Sequence, residues 1–413
     1  MKKRLVEDGR PRGGIMRKVA IVGAGSTKFK ARWIDKTYYE LAFDAAKMAM
    51  EDAGITRKNV DCAVYGIYND FFQRQYQPDA FVHDYLGLGL KPMVRVNSGG
   101  ATGGAALRIG YSEVASGLYD ICLVLGVEKC ADTYNYELQA ATPEVLRAIL
   151  YTADMTYDNP AGRTAASGFA LAVVAHREKY GNPTDEQMAK VSIKNHFNAT
   201  KNPIAQSPAV LSLEEVLNSR KIVEPFRFYD NCLYTEGSSA VILASEEAAR
   251  KLTDNPVWIT GLGCSVDYVM PGNRDNIYTF ESSRVAAQKA FKMAGISDPL
   301  KELDLAELHD AFTGTEIMAY EDCFFCEEGQ GGRLIDEGVV MPDGELPVNL
   351  SGGLIGCGHA VGATGIMQTY EIYLQLCGRA GERQVPSARR GLVQSIGGTL
   401  CTWTVCLVLE RED

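Results

Sequence analysis

Apolar residues come in short unbroken runs along this chain, separated by segments in which they recur every three or four positions. Unbroken runs read as strands buried on both faces, and the three-and-four spacing reads as amphipathic helix. KVAIVG (18–23) is the first such strand. YELAFDAAKMAMEDAGI (39–55) follows as a helix, with Gly54 placed to end it. DCAVYG (61–66) is a second strand. The same grammar returns late: VWITGLG (257–263) predicts a strand, ESSRVAAQKAFKMAGI (281–296) a helix ending in the same AGI, and DLAELH (304–309) a strand. Glycine-rich turns extend the match, NSGGATGGAAL (97–107) early, and NLSGG with GHAVGATG late. ICLVLGVE (121–128) and LVQSIGG (392–398) then read as the strands that follow them. So many elements in one order point to a duplicated α/β unit, packed as a pseudo-dimer.

From about 130 to 220 the first half carries a stretch without a counterpart. AGRTAASGFALAVVAHREKYG (161–181) and PTDEQMAKVSIKNHFNATKNP (183–203) read as two helices, the second opened by a capping box of Thr184 and Gln187. The stretch reads as an insertion that covers the site. AVILAS (240–245) closes the first half. The chain thus divides into a tail (1–16), a first half (17–255) and a second half (256–413).

A length of 413 residues suits two or three globular units. Forty-two basic against fifty-two acidic residues give a net charge of −10, the wrong sign for a nucleic-acid binder. No run of about 18 apolar residues occurs, so no membrane-spanning helix is expected. MKKRLVEDGRPRGGIM is basic without an apolar core, which reads as a floppy tail, with Met16 as an alternative start, and not as a secretory signal. Eleven scattered cysteines fit reduced thiols in a cytoplasm. Cys323 and Cys326 form a CxxC with no second pair at zinc spacing, so no metal site is expected.

The chemistry-bearing residues are few. Of five histidines, His176 and His196 fall in the inserted helices and read as packing or surface residues, and His83 says nothing alone. His309 ends a strand and opens the loop of ELHDAFTGTE. Ligands of α/β sheets gather at such strand ends. His359 sits in SGGLIGCGHAVGATG, where glycines admit close backbone approach and a helix N-terminus follows. VGAGSTKF (22–29) has the GxG of a dinucleotide loop, but no third glycine and no well-placed ribose acid. It reads better as a tight strand-to-loop turn.

HDAF (309–312), GHAVGATG (358–365), SIGGT (395–399) and the duplicated halves resemble the thiolase superfamily. They look most like its sterol-carrier-protein-type and archaeal-type branch, over about Lys18 to Glu410. The resemblance implies a thiolase fold: two α/β halves in a five-layered pseudo-dimer, with a loop domain inserted in the first. It implies thioester exchange and Claisen chemistry, with coenzyme A as co-substrate and no permanently bound cofactor. Family members use a nucleophilic cysteine, a GH-type histidine that activates it, and a late cysteine that moves the α-proton. His309 and His359 match the family's motifs. The two cysteines do not. VNSGGATGGAAL (96–107) puts Gly100 where the family reads VNNACATGSAAL, and Ser395 stands at the late cysteine's place.

A glycine cannot form an acyl-enzyme. What remains is an oxyanion site, with His309 and His359 moving protons and Ser98, Gly100 and Gly398 lining the thioester. Three routes stay open. Coenzyme A could cleave a β-ketoacyl-CoA by direct attack, a retro-aldol could split a β-hydroxyacyl-CoA, or a thiol could have moved. Strand alternation would put Cys357 beside His359 with a lowered pKa, and Cys401 follows the SIGGT turn. Cys232 reads as packing. A catalytically inactive acyl-CoA-binding scaffold is a fourth reading. Glycine-for-cysteine chains resemble a branch that pairs with a small zinc-finger and OB-fold (DUF35-like) subunit. That branch includes steroid side-chain aldolases and benzoylsuccinyl-CoA thiolase. The aldolases replace the GH histidine by tyrosine, so His359 favours the thiolase side. The resemblance also implies a homodimer through central strands. The aromatic tract YGIYNDFFQRQYQPDAFVHDY (65–85) suits a bulky acyl pocket, a dimer surface or plain packing. Arg147, Arg163 and Lys194 are unranked candidates for the coenzyme A phosphates.

Overall fold

Strand β1 (Val19–Ser26) is buried at every residue, as its apolar run requires. The computed structural model describes residues 16–73, 75–130, 154–158 and 160–412, and the backbone alone at 134–135 and 140–141. The first half adds β2 (Cys62–Gly66), β3 (Met93–Val96), β4 (Ile121–Glu128) and β5 (Gly237–Ser245). The second half holds β6 (Val257–Val266), β7 (Leu305–Glu307), β8 (Arg390–Gly397) and β9 (Trp403–Arg411). The strand 304–309 read from sequence is shorter in the structure, because the chain leaves the sheet before His309. The closing strand β9 was not read from sequence.

The duplication holds at the level of pairing. In the first half β1–β5 and β5–β4 are antiparallel, and β4–β2 and β2–β3 are parallel. In the second half β6–β9 and β9–β8 are antiparallel and β8–β7 is parallel. A single parallel bridge, Ala306 to Val348, stands where β3 stands in the first half. Even the register breaks agree: β1 shifts between Ile21 and Gly23, and β6 between Ile259 and Gly261.

Those breaks explain the GxG. Helix α1 (Tyr38–Asp52) lies on β1, and a Cβ at Gly23 would stand 2.5 Å from the Ala49 carbonyl. Gly261 meets the Ala290 carbonyl, and Gly263 that of Ala286, on helix α5 (Glu281–Ala294) in the same way. The glycines therefore seat a helix on a strand. VGAGS is strand, not the strand-to-loop turn read from sequence and not a phosphate loop.

Helices α2 (Thr102–Ala115) and α8 (Thr364–Leu376) pack between the two halves, each touching strands of both. The layers run α1, first-half sheet, α2 with α8, second-half sheet, α5. The two sheets are joined into one nine-stranded sheet where Ala20 and Ile21 of β1 pair with Trp258 and Val257 of β6. β3 forms one outer edge, with Met93 and Val94 exposed.

The insertion supplies α3 (Ala165–Tyr180) and α4 (Asp185–Thr200). Both open on capping boxes, Thr164 with Ser167 and Thr184 with Gln187. α4 packs against α6 (Thr313–Asp322) and the short α7 (Gly353–Gly356). Residues 1–15 of the expected tail, and most of 131–153, lie outside the described residues. Among those described, no helix is long and apolar enough to cross a membrane.

Candidate active site

His309 follows the end of β7, where the strand's hydrogen bonding stops. Leu308 N–H donates to Asn349 Oδ1 at 2.7 Å and His309 N–H to Gln394 Oε1 at 3.3 Å, which fixes the loop. His359 stands after Gly358, whose φ of 122° turns the chain sharply. The His359 N–H donates to Thr235 Oγ1 at 2.9 Å. The two imidazoles meet edge to face, with centroids 5.1 Å apart and planes at 89°.

Thr364 fixes the tautomer of His359. Its Oγ1 lies 2.8 Å from His359 Nδ1 and 3.0 Å from the Ala360 carbonyl oxygen. Both contacts are hydrogen bonds only if the threonine hydroxyl donates to Ala360 and accepts from Nδ1–H. Nε2 of His359 then carries the free lone pair. Burial disfavours charge on both rings. His359, enclosed but keeping an open edge, is pushed down to about 4. His309 is lowered well below its ordinary value by burial, and the neighbouring His359 adds to this. The pair is neutral at pH 7.

Gly100 lies against this pair. A Cβ built there would stand 3.1 Å from His309 Nε2 and 2.5 Å from the Ile396 carbonyl oxygen. Gly99 has φ +58°, and its Cβ would stand 2.9 Å from Gly398 N. Ser98 presents its carbonyl to Gly397, and its N–H is held by Thr102 Oγ1 at 2.9 Å. The 98–100 and 396–398 turns therefore touch backbone to backbone. Ser98, Gly100, Gly398, His309 and His359 come together. Ser395 does not join them. Its Oγ faces Gly104 and Gly365 in the central helix layer.

Cys357 departs from the sequence expectation. It caps α7 instead of lying on a strand, so alternation does not apply. Its Sγ is buried 3.8 Å from Met367 Sδ and 3.7 Å from Asn202 Nδ2. Burial, with Glu307 and Glu371 nearby, pushes its thiol well up, the reverse of an activated thiolate. Cys401 is likewise buried and raised, in the second-half core. Cys232 is pushed up to about 12 by burial.

Sequence reasoning missed the support behind the histidines. Asp310 accepts from Leu354 N–H at 2.6 Å, at the start of α7, and from Asn195 Nδ2 of α4 at 2.8 Å. Glu316 accepts from Lys194 at 2.6 Å, Asn195 at 2.6 Å and Asn349 at 2.7 Å. Asp310, inside HDAF, was the available signal. Lys194 is thus committed to Glu316 and the Val348 carbonyl, and Arg163 to Asp158. Neither is a free phosphate ligand, and Arg147 lies outside the described residues. In the aromatic tract Tyr65 is buried and bonded to His83, while Phe71, Tyr76, Phe81 and Tyr85 are exposed. Among the described residues no cluster of metal-binding side chains occurs.

Residues 19–247 match the family described as thiolase, N-terminal domain, and residues 263–411 that described as thiolase C-terminal domain-like. An acetyl-CoA acetyltransferase of Methanothermobacter thermautotrophicus is 38% identical over 93% of this chain and 97% of its own. Sterol carrier protein 2 of Gallus gallus is 35% identical over 95% of this chain and 72% of its own. Among solved structures, an Ltp2-ChsH2(DUF35) aldolase superposes with TM-score 0.80 at 24% identity, covering 96% of this chain and 98% of that one. Human mitochondrial 3-ketoacyl-CoA thiolase in complex with CoA gives TM-score 0.72 at 18% identity, covering 97% and 99%. The chain belongs to the thiolase superfamily, on its sterol-carrier-protein-type branch. It is by class a thiolase-like acyltransferase.

Proposed function

We propose that the protein cleaves or forms a carbon–carbon bond beside a CoA thioester, by retro-Claisen cleavage of a β-ketoacyl-CoA without an acyl-enzyme. The carrying observation is Gly100 seated against His309 Nε2 beside a neutral His359 whose Nε2 is free. His359 Nε2 takes the proton of the coenzyme A thiol. The thiolate attacks the β-ketone carbon. The carbon–carbon bond then breaks, its electron pair forms the thioester enolate, and the imidazolium returns its proton to that carbon. His309 donates a hydrogen bond to the oxygen that carries the developing charge, with the N–H groups of Gly100 and Gly398 beside it. One acyl-CoA and one acetyl-CoA-type product balance the atoms.

Coenzyme A is co-substrate in this reading, and no resident cofactor is needed. The names of the acetyltransferase and sterol-carrier relatives support it. A retro-aldol on a β-hydroxyacyl-CoA is the second reading, favoured by the missing nucleophile and the aldolase named among the fold neighbours. That neighbour, named as an Ltp2-ChsH2(DUF35) aldolase, also supports a DUF35-type zinc-finger and OB-fold partner here. The exposed aromatics of 65–85 favour a bulky acyl group, of which benzoylsuccinyl-CoA is an example from anaerobic aromatic degradation. The open β3 edge favours a homodimer core, and a division near residue 255 belongs to the same reading.

Intact-mass measurement with aliphatic and aromatic β-ketoacyl-CoAs, with the partner subunit added, tests the proposal. Cleavage that requires coenzyme A and leaves no acyl adduct is the expected result. An adduct mapped to Cys357 or Cys401 would overturn direct attack. Cleavage of β-hydroxyacyl-CoAs alone would select the aldol reading, and no cleavage of either class would leave the scaffold reading.

A further inference from the structure

The turn after His359 belongs to the second half of the chain but is seated on the first. A Cβ at Gly362 would stand 2.5 Å from the Gly66 carbonyl and 2.8 Å from that of Val127. One at Gly66 would stand 2.8 Å from the Gly362 carbonyl, and one at Gly126 would overlap the same oxygen. The C-terminal ends of β2 and β4 thus receive this turn with backbone against backbone, which only glycine permits.

Glu128, the last residue of β4, closes the seat and is 1% exposed. Its Oε2 accepts from Gly362 N–H at 3.1 Å and from Tyr68 N–H at 3.2 Å. Its Oε1 accepts from Gln73 Nε2 at 3.2 Å. From Gly362 the path to the imidazole is short. Ala363 N–H donates to the Ala360 carbonyl at 2.7 Å, and that carbonyl also receives the Thr364 hydroxyl that orients His359 Nδ1. A buried carboxylate is costly and gives no packing advantage over an apolar side chain. Its use at this point calls for a reason.

We propose that Glu128 is a positioning residue: its carboxylate clamps the 360–363 turn and so sets where His359 stands against His309. The inference rests on the reading of His359 as the proton carrier. Among the described residues the groups facing Glu128 are few. Tyr68 and Gln73 come from the loop after β2. Arg95 comes from β3 and is engaged with Asp70 and Asp79. Cys130 follows β4, with the Lys129–Glu236 pair beyond it. Val361 packs against Tyr68, Phe72 and Cys130.

Burial pushes Glu128 up to about 7, partly offset by its hydrogen bonds and Arg95. The clamp uses the ionised form, so it weakens as pH falls through that value. His359 and His309 titrate far lower and stay neutral throughout this range. Burial also raises Asp310, behind His309, to about 7 and Glu307 to about 8, so the signature of Glu128 is an acidic limb accompanied by loosening of the 358–364 backbone.

The test measures α-proton exchange of acetyl-CoA in deuterated buffer, which needs no thiol, from pH 6 to 8. Hydrogen–deuterium exchange of the 358–364 backbone is followed in the same samples, corrected for intrinsic rates. The wild type is expected to show a limb near 7 with protection of 358–364 falling along it. In Glu128→Gln the protection of 358–364 no longer varies with pH, kcat at pH 8 falls about ten- to hundredfold with KM within about twofold, and 358–364 loses protection while β8 and β9 keep theirs. Glu128→Asp keeps that pH dependence of protection at a lower rate. Unchanged protection of 358–364 in Glu128→Gln at pH 8 would overturn the clamp. So would protection of 358–364 that still falls with pH in Glu128→Gln. A wild type that exchanges no α-proton overturns the proposed function instead, and the backbone exchange still decides the clamp.

Discussion

A methyl group at Gly100 would push into the Ile396 carbonyl while pointing at His309 Nε2. A side chain at Gly100 therefore cannot be restored without moving the 98–100 and 396–398 turns, which lie backbone against backbone. Gly100→Cys is expected to cost about 1–3 kcal/mol by overpacking and to gain no acyl adduct, measured by calorimetry and intact mass. His359→Ala, in contrast, removes the free Nε2 and is expected to lower kcat by about 10²–10⁴-fold at unchanged melting temperature. Cys357→Ala should retain turnover, since its thiol is buried against Met367 and its pKa is raised. A loss of turnover there without a loss of stability would contradict this placement. The two histidines and the missing cysteines were legible in short motifs. Thr364 and Thr235 were not, and for Asp310 the motif HDAF showed the residue but not its contacts. Their role comes from three-dimensional proximity to His359 and α7, and a threonine or aspartate has no spacing that announces it.

At the scale of elements, the strand and helix pattern was legible because each buried strand is continuously apolar and each outer helix ends in a glycine turn. The errors fall where tertiary contact overrides pattern. The GxG of β1 copies a phosphate loop in sequence, but its glycines exist because α1 lies within contact of the strand. Cys357 copies an alternating strand position, but α7 winds the chain there. The insertion was legible as two helices, yet α4 reaches under the site through Lys194 and Asn195. Removing Lys194 leaves Glu316 buried without its cation. Lys194→Met is expected to cost about 3–5 kcal/mol, read as a fall in the denaturant midpoint. A shift under about 1 kcal/mol would mean that the pair contributes little beyond its packing.

At the scale of the molecule, the halves share one central helix layer, and each alone would expose a large apolar face. Among the described residues no strand pairs with the outer edge of β3, where Met93 and Val94 are exposed, an arrangement that proteins cover or suffer for. Val94→Asp is expected to shift the protein toward monomer in light scattering coupled to size-exclusion chromatography. An unchanged mass would mean that β3 is not a dimer edge. The joint between halves has one more consequence. Ile21 of β1 faces Val257 of β6, and Val257 faces Arg411 of β9. Lys18 and Glu412 stand 3.8 Å apart as an ion pair. The two ends of the described chain are therefore neighbours, and the connection that links the halves, around Asp254 and Asn255, runs over the surface at the same place. Covalent order and spatial order are separable here. A circular permutant that begins at residue 256 and joins 412 to 17 through a short glycine linker would present the same halves in exchanged order, with the histidines, their turns and the shared helix layer undisturbed.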